Sequence, residues 1–242
     1  MKQFTARHPW AILAAGAAIQ ILTGLPAAWG VFQQPVMDEF SLTEDGAGYA
    51  FGILIAAFGV GCVIGGFLQD KKGPRCAALW GTGLLCGGFF AAALLPGEKG
   101  AWFWAVFSIP AGLGTAFLYP SIQSCAQKWY AGRKGLATGV IGGAVGLSGA
   151  FLTGFVRTAL KGFGPVQGIR GAFWALGVLT LPVCLVGSAL LTDPPTAKQK
   201  PEEQGRGKGT PALDLAPLQM LRTKQYWLCA GAVCFSTPAV LL

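Results

Sequence analysis

The chain has 242 residues, a formal charge of +8, and a mean hydropathy of +0.53, with 53% of its residues hydrophobic and only 12% charged. A soluble domain carries about 25% charged residues. That excludes an ordinary water-soluble globule and points to the lipid bilayer.

Six windows of membrane-crossing length, about 20 residues nearly free of charge, follow in order. They are Trp10–Phe32, Gly46–Leu68, Cys76–Pro96, Ala101–Cys125, Gly135–Val156 and Gly171–Leu191, and a seventh run starts near Tyr226. Each is rich in Ala, Gly and Leu, and none shows the polar face of a soluble amphipathic helix. A membrane barrel would instead alternate over about 10 residues. The expected class is an all-α membrane protein. Lys2, Arg7 and the small residues of LPAAWG resemble a cleavable leader. The first run exceeds the about 7–15 apolar residues of a leader, however, and five more spans follow.

With the N-terminus in the cytoplasm and alternating spans, fourteen of the eighteen basic residues fall inside, among them Lys71, Lys72, Arg75, Lys128, Arg133 and Lys134. The first outside loop, QQPVMDEFSLTEDG, has four acids and no base. The charge therefore reports orientation by the positive-inside rule, and no nucleic-acid partner is called for. A plasma membrane, the inner membrane of a bacterium, is the expected location, with the lipid bilayer as the surrounding partner.

Between the sixth and seventh runs lies Thr192–Gln225. Its first half is Pro-, Lys- and Gly-rich and reads as a linker, while Leu215, Leu218 and Leu221 with Met220 predict a short helix on the membrane surface. The domain organisation is then a six-helix bundle over residues 1–191, a linker over 192–225, and the start of span 7 over 226–242. Six spans, a polar break and a new span is the midpoint layout of a transporter built from two halves. The final run holds 17 residues, barely enough to span, so the chain is expected to be the N-terminal part of a longer protein. The rival expectation is a complete six-helix structural or pore-forming protein that self-assembles through its glycine faces.

The stretch GGFLQDKKGPR, Gly65–Arg75, puts charge and turn residues between two charge-free runs. Gly73-Pro74 predicts a tight turn that makes spans 2 and 3 a hairpin with Asp70 at its mouth. Gly65 and Gly66 predict close approach of another helix. A carboxylate there suits the N-terminus of a neighbouring helix or an ion pair with Arg75. Such contacts close one side of a transporter.

Gly66 to Arg75 resembles the loop 2–3 signature of the major facilitator superfamily, Gly-x-Leu-x-Asp-(Arg/Lys)-x-Gly-x-(Arg/Lys). The form LQDKxGPR resembles its oxalate:formate antiporter-like and monocarboxylate transporter branch. AWGVF (Ala28–Phe32), GLGTAFLYPSIQSCAQKWYAGRKGLATG (Gly112–Gly139) and LDLAPLQMLRTKQYWL (Leu213–Leu228) resemble further stretches of that branch. The resemblance implies a twelve-helix protein of two six-helix bundles, each of 3+3 inverted repeats, with alternating access to a site between them. It implies a small organic anion, a mono- or dicarboxylate, as substrate. It makes Gly66, Asp70, Lys71, Gly73 and Arg75 a gating motif whose partners lie in the missing C-terminal six-helix half.

Candidate substrate-facing residues sit on two spans. Gly112, Thr115, Tyr119 and Gln123 share one face of span 4, and their polar groups can donate to a carboxylate. Tyr119 matches the branch's span 4 tyrosine. Trp29 and Gln33 share a face of span 1, although Trp29 equally suits an interfacial belt. Oxalate-type members carry a tyrosine where this chain has Ala27, so a different small carboxylate is favoured. Span 5 is a glycine ladder, Gly135, Gly139, Gly142, Gly143, Gly146, Gly149 and Gly154, whose small-xxx-small spacing at 135/139, 139/143 and 142/146 predicts close helix packing.

Other chemistry is poorly supplied. The seven cysteines form no C-x-x-C pair, and one histidine, His8, leaves no catalytic set. GVGCVIGG and GGAVGLSG lack the strand and acid of a dinucleotide site. No cofactor, metal or enzymatic activity is expected. Spans 1–6 bury no charge, so the cations for an anionic substrate are expected from the missing half.

Overall fold

The computed structural model describes residues 9–97, 100–163, 168–192, 223–228 and 231–232. Residues 1–200 and 201–242 form two separate units. In the second, residues 224–228 are helical, with the rings of Tyr226 and Trp227 edge to face at 5.7 Å. The expected surface helix near Leu215, most of the linker and most of span 7 lie outside the described residues.

The described residues of the first unit are helical apart from short turns, and among them are six helices long and apolar enough to cross a membrane. Span 1 is α1 (Pro9–Thr23) followed by α2 (Leu25–Phe40), span 2 is α3 (Glu44–Lys72), and span 3 is α4 (Pro74–Leu94). Span 4 begins in a short α5 (Gly100–Phe103) and a π-turn (Trp104–Ser108) and continues as α6 (Ile109–Trp129). Spans 5 and 6 are α7 (Lys134–Phe163) and α8 (Gly168–Leu190).

Several ends differ from expectation. Span 1 runs to Phe40 rather than Phe32, so most of the acidic loop is helix. The real turn is three residues long. Ser41 takes a positive φ of 49°, and Thr43 caps α3 by accepting from Gly46 N at 3.2 Å. Glu44 and Asp45 then lie in the first turn of α3, where the helix dipole favours acids. Hydropathy marks where lipid ends, and these helices continue beyond it. A 29-residue α3 is about 43 Å long against a hydrocarbon core of about 30 Å.

Span 1 is also broken at Gly24. Pro26 has no N–H to continue the ladder from Leu22, and Gly24 sits between the two helices. A Cβ at Gly24 would collide with the Ser148 hydroxyl of α7. Ser148 Oγ lies 3.3 Å from Gly24 O and 2.5 Å from Val145 O, so the break is hydrogen-bonded to span 5.

The packing has an internal symmetry. Spans 2 and 3 pack most heavily on span 4, span 1 packs on spans 5 and 6, and span 3 packs on span 6. Exchanging 1 with 4, 2 with 5 and 3 with 6 maps this pattern onto itself. Three spans per repeat also reverse the direction of each partner, which is an inverted repeat.

The two ends of the bundle are held differently. Near the end carrying Ser41, Phe32, Phe40, Phe89, Phe103, Phe107 and Phe173 are all fully buried. Their neighbouring rings lie 4.9–5.9 Å apart. Arg170 and Glu39 form an ion pair at 2.7 Å there, with the Nε–H not aimed as a hydrogen bond. Toward the end carrying Gly73, backbones approach through glycine: Gly61 and Gly65 on Ala116 and Phe117, Gly81 on Gly114, Gly187 on Ile19.

The turn between spans 2 and 3 is a single residue. Gly73 ends α3 by donating to Gln69 O at 2.7 Å, and Pro74 starts α4. Gly73 has φ 86° and ψ 165°, a region essentially reserved for glycine. A Cβ there meets nothing within 4 Å, so the cost of one is conformational alone. Gly73→Ala is expected to lose about 1–3 kcal/mol. Thermal unfolding in detergent checks it. Gly73→Asn is expected to do no better, since this is not the left-handed helical region asparagine tolerates.

Candidate substrate pathway

The candidate residues lie on α2, α3, α6 and α7, with Gly73 in the turn after α3 and Arg75 in the first turn of α4. On α6 the arithmetic of 100° per residue puts Gly112, Thr115, Tyr119 and Gln123 on one face, but α3 crosses that face obliquely. At its upper part Gly112 meets Leu54 O and Ala57 of α3, and Thr115 is buried. The Thr115 hydroxyl donates to Ala111 O at 2.8 Å and is committed to its own helix. Further along, α3 has moved over to Phe117, through Gly65. Tyr119 and Gln123 are left half-buried. Gln123 Oε1 is enclosed yet has no hydrogen-bond partner among the described residues.

On α2, Trp29 is 7% exposed and stacks on Phe51 of α3 at 5.7 Å. It is an interior ring, not a belt aromatic. Gln33, one turn on, is half-buried. Tyr119 faces Phe58 of α3, ring centres 6.3 Å apart. The sequence reading missed Phe51 and Phe58. Their signal was the seven-residue spacing, two turns on one helix stripe.

The loop motif divides. Gly65, not Gly66, is the close contact: a Cβ at Gly65 would lie 3.2 Å from Phe117 Cα, while at Gly66 it meets nothing within 4 Å. Asp70, Lys71, Lys72 and Arg75 are exposed. Among the described residues Asp70 makes no ion pair with Arg75, contrary to one expectation. Lys71 and Lys72 suit the last turn of α3. The helix dipole opposes Asp70 at that end, so its own bundle gives this acid no evident support.

Most of the glycine ladder does not pack within this bundle. Gly135, Gly139, Gly142, Gly143 and Gly146 are exposed, and a Cβ at any of them meets nothing within 4 Å. Gly149 is the ladder glycine that does meet a neighbour: a Cβ there would lie 3.1 Å from Ala27 O. Spans 2 and 5 are the least buried, 17% and 28% of their apolar stretches against 39–61% elsewhere.

Open apolar surface lies on both pairs of spans. Spans 3 and 6 expose Leu79, Trp80, Leu94, Trp174, Val178, Leu185 and Val186, bulky groups suited to acyl chains. Spans 2 and 5 expose bulky groups too, among them Tyr49, Val63, Phe67, Leu147 and Phe151, but set between them are many exposed glycines, Gly48, Gly52 and Gly59 on one and the ladder from Gly135 to Gly146 on the other.

The profile of the Major Facilitator Superfamily matches residues 11–242. The chain belongs to that superfamily. Its inverted-repeat packing and the Gly66–Arg75 loop agree with this placement. Among curated superfamily relatives, the oxalate:formate antiporter of Oxalobacter formigenes is 23% identical over 211 residues, 86% of this chain and 47% of that protein. An uncharacterized MFS-type transporter of Escherichia coli, YhjX, is 24% identical over 225 residues, 93% of this chain and 53% of that protein. Monocarboxylate transporter 1 of Bos taurus is 27% identical over 199 residues, 81% of this chain and 38% of that protein. The chain spans about half the length of the first two.

Proposed function

We propose that the chain is the N-terminal half of a secondary transporter that moves a small organic anion by alternating access. The observation that carries this reading is the open, glycine-rich face of spans 2 and 5, the least buried of the six. Bulky groups such as Phe67 and Leu147 with glycines between them suit a second bundle that packs closely and slides. The names of the relatives support a carboxylate as cargo. The basic turns at Lys71–Arg75 and Arg133–Lys134 support a cytoplasmic N-terminus in a plasma membrane, bacterial in our reading.

In this reading Trp29, Gln33, Tyr119 and Gln123 line the pathway. They supply aromatic walls and neutral amide and phenol groups, and the second half supplies the cations. Asp70, unsupported at the dipole-negative end of α3, meets its partner across the interface when the cytoplasmic side is shut. Gly66, Lys71, Gly73 and Arg75 shape that loop.

The complete transporter in proteoliposomes tests both roles. Asp70→Asn is expected to cut exchange of labelled lactate or oxalate at least about tenfold, as loss of a state-specific contact should. Tyr119→Phe is expected to raise KM about tenfold, the worth of one hydrogen bond to a charged group. Normal exchange by both variants removes these residue roles. A stable homo-oligomer of this chain that conducts solute by itself replaces the half-transporter reading with a pore.

A further inference from the structure

Phe51 and Phe58 lie seven residues apart on the same stripe of α3, about 10 Å along its axis. Each meets one candidate pathway ring from a different repeat: Phe51 stacks on Trp29 of span 1 at 5.7 Å with planes 28° apart, and Phe58 lies at 6.3 Å from Tyr119 of span 4. The same unbroken helix, Glu44–Lys72, carries Gly66, Asp70 and Lys71 at its far end. No proline interrupts it, so it behaves as one rod, and it is the least buried of the six spans.

We infer that Phe51 and Phe58 are positioning residues through which span 2 sets the Trp29 and Tyr119 rings, so that this helix couples the Gly66–Arg75 loop to the substrate pathway. The inference rests on the pathway reading above. Neither phenylalanine has a polar group to offer a carboxylate. Each acts by filling the space on one side of a ring that otherwise rotates. Trp29 has no second ring partner among the described residues, and neither has Tyr119. A tilt of α3 that breaks the loop contacts carries both phenylalanines with it and releases both rings together.

The test uses the complete transporter, labelled with 5-fluorotryptophan or 3-fluorotyrosine and observed by fluorine NMR. Trp29→Phe and Tyr119→Phe assign the two resonances by their loss. Phe51→Leu is expected to shift or broaden the Trp29 signal, and Phe58→Leu the Tyr119 signal, while Asp70→Asn moves both. In proteoliposomes the two leucine variants are expected to raise the KM for lactate or oxalate about three- to tenfold, the worth of an aromatic pair, with Vmax within about twofold. Phe58→Tyr, which keeps a ring, is expected to restore KM. In a Tyr119→Leu background Phe58→Leu is expected to add nothing.

Unmoved resonances overturn the inference, and so does an undiminished effect of Phe58→Leu in the Tyr119→Leu background. A third result is separable from these. If the resonances move as expected but Trp29→Leu and Tyr119→Leu leave KM untouched, the pathway reading is the part that failed, and the role in transport falls with it while the packing stands.

Discussion

Gly114→Val is expected to be the most damaging single change in the bundle. A Cβ at Gly114 would lie 2.6 Å from Leu85 N, 2.8 Å from Gly81 O and 2.8 Å from Leu85 Cβ. Two of these three atoms are backbone of α4 and have no rotamer to escape into. The helix itself must move away. Its departure also strains the buried hydroxyl pair Thr82 and Ser188, 3.2 Å apart, that joins spans 3 and 6. Overpacking a tight site typically costs 1–3 kcal/mol, and with a rigid backbone opposite, about 3 kcal/mol or more is expected. By the scaling for chains of this size that is about 6–12 °C of thermal midpoint. Unfolding of the purified protein in detergent measures it. A midpoint equal to wild type means spans 3 and 4 do not meet at Gly114.

The second large effect should appear with no loss of stability at all. Gly142→Leu places a side chain in open space on α7. Glycine is a poor helix residue, by about 0.8 kcal/mol relative to a good former, so the bundle is expected to keep its midpoint or gain slightly. Transport by the complete protein is nevertheless expected to fall more than about tenfold, because the leucine props apart the face proposed to meet the second half. The pairing of outcomes is the point: the two glycines look alike in sequence, yet one change should unfold and the other should jam. Full exchange activity in Gly142→Leu would make the ladder a lipid-facing surface.

Why those two glycines are indistinguishable in the sequence is instructive. Small-xxx-small spacing says that a backbone is accessible from one side, not that anything has come to it. Adjacent Gly65 and Gly66 point about 100° apart on their helix, and span 4 approaches only the first. Spacing likewise puts Thr115 and Tyr119 on one face, as it should, but a crossing partner is not parallel to a face. α3 packs its backbone on Gly112, Ala116 and Phe117, and reaches Tyr119 only through the Phe58 ring. Spans and their order were legible because about 20 apolar residues leave few alternatives. Their ends were not, since Phe40 and Lys72 stand on helix that has already left the apolar layer. The break at Gly24 had its signal in Pro26, two residues on, and the register of Phe51 and Phe58 against Trp29 and Tyr119 emerges only when separate helices are docked.

The symmetric packing also has a consequence for how the protein is made. Spans 2 and 3 touch each other sparingly and lean mainly on span 4, and span 1 leans on spans 5 and 6. A chain leaving the ribosome therefore inserts three helices that cannot yet settle, and the first durable docking waits until Trp129 has emerged. Span 1 waits longest, until α8 has followed. During that interval, the exposed polar pair Gln20 and Thr23, which finish buried and 3.0 Å apart, face lipid or an insertase. Assembly of this bundle is thus a late, concerted event in synthesis, and a nascent chain arrested before span 4 should remain open to crosslinking by the insertion machinery.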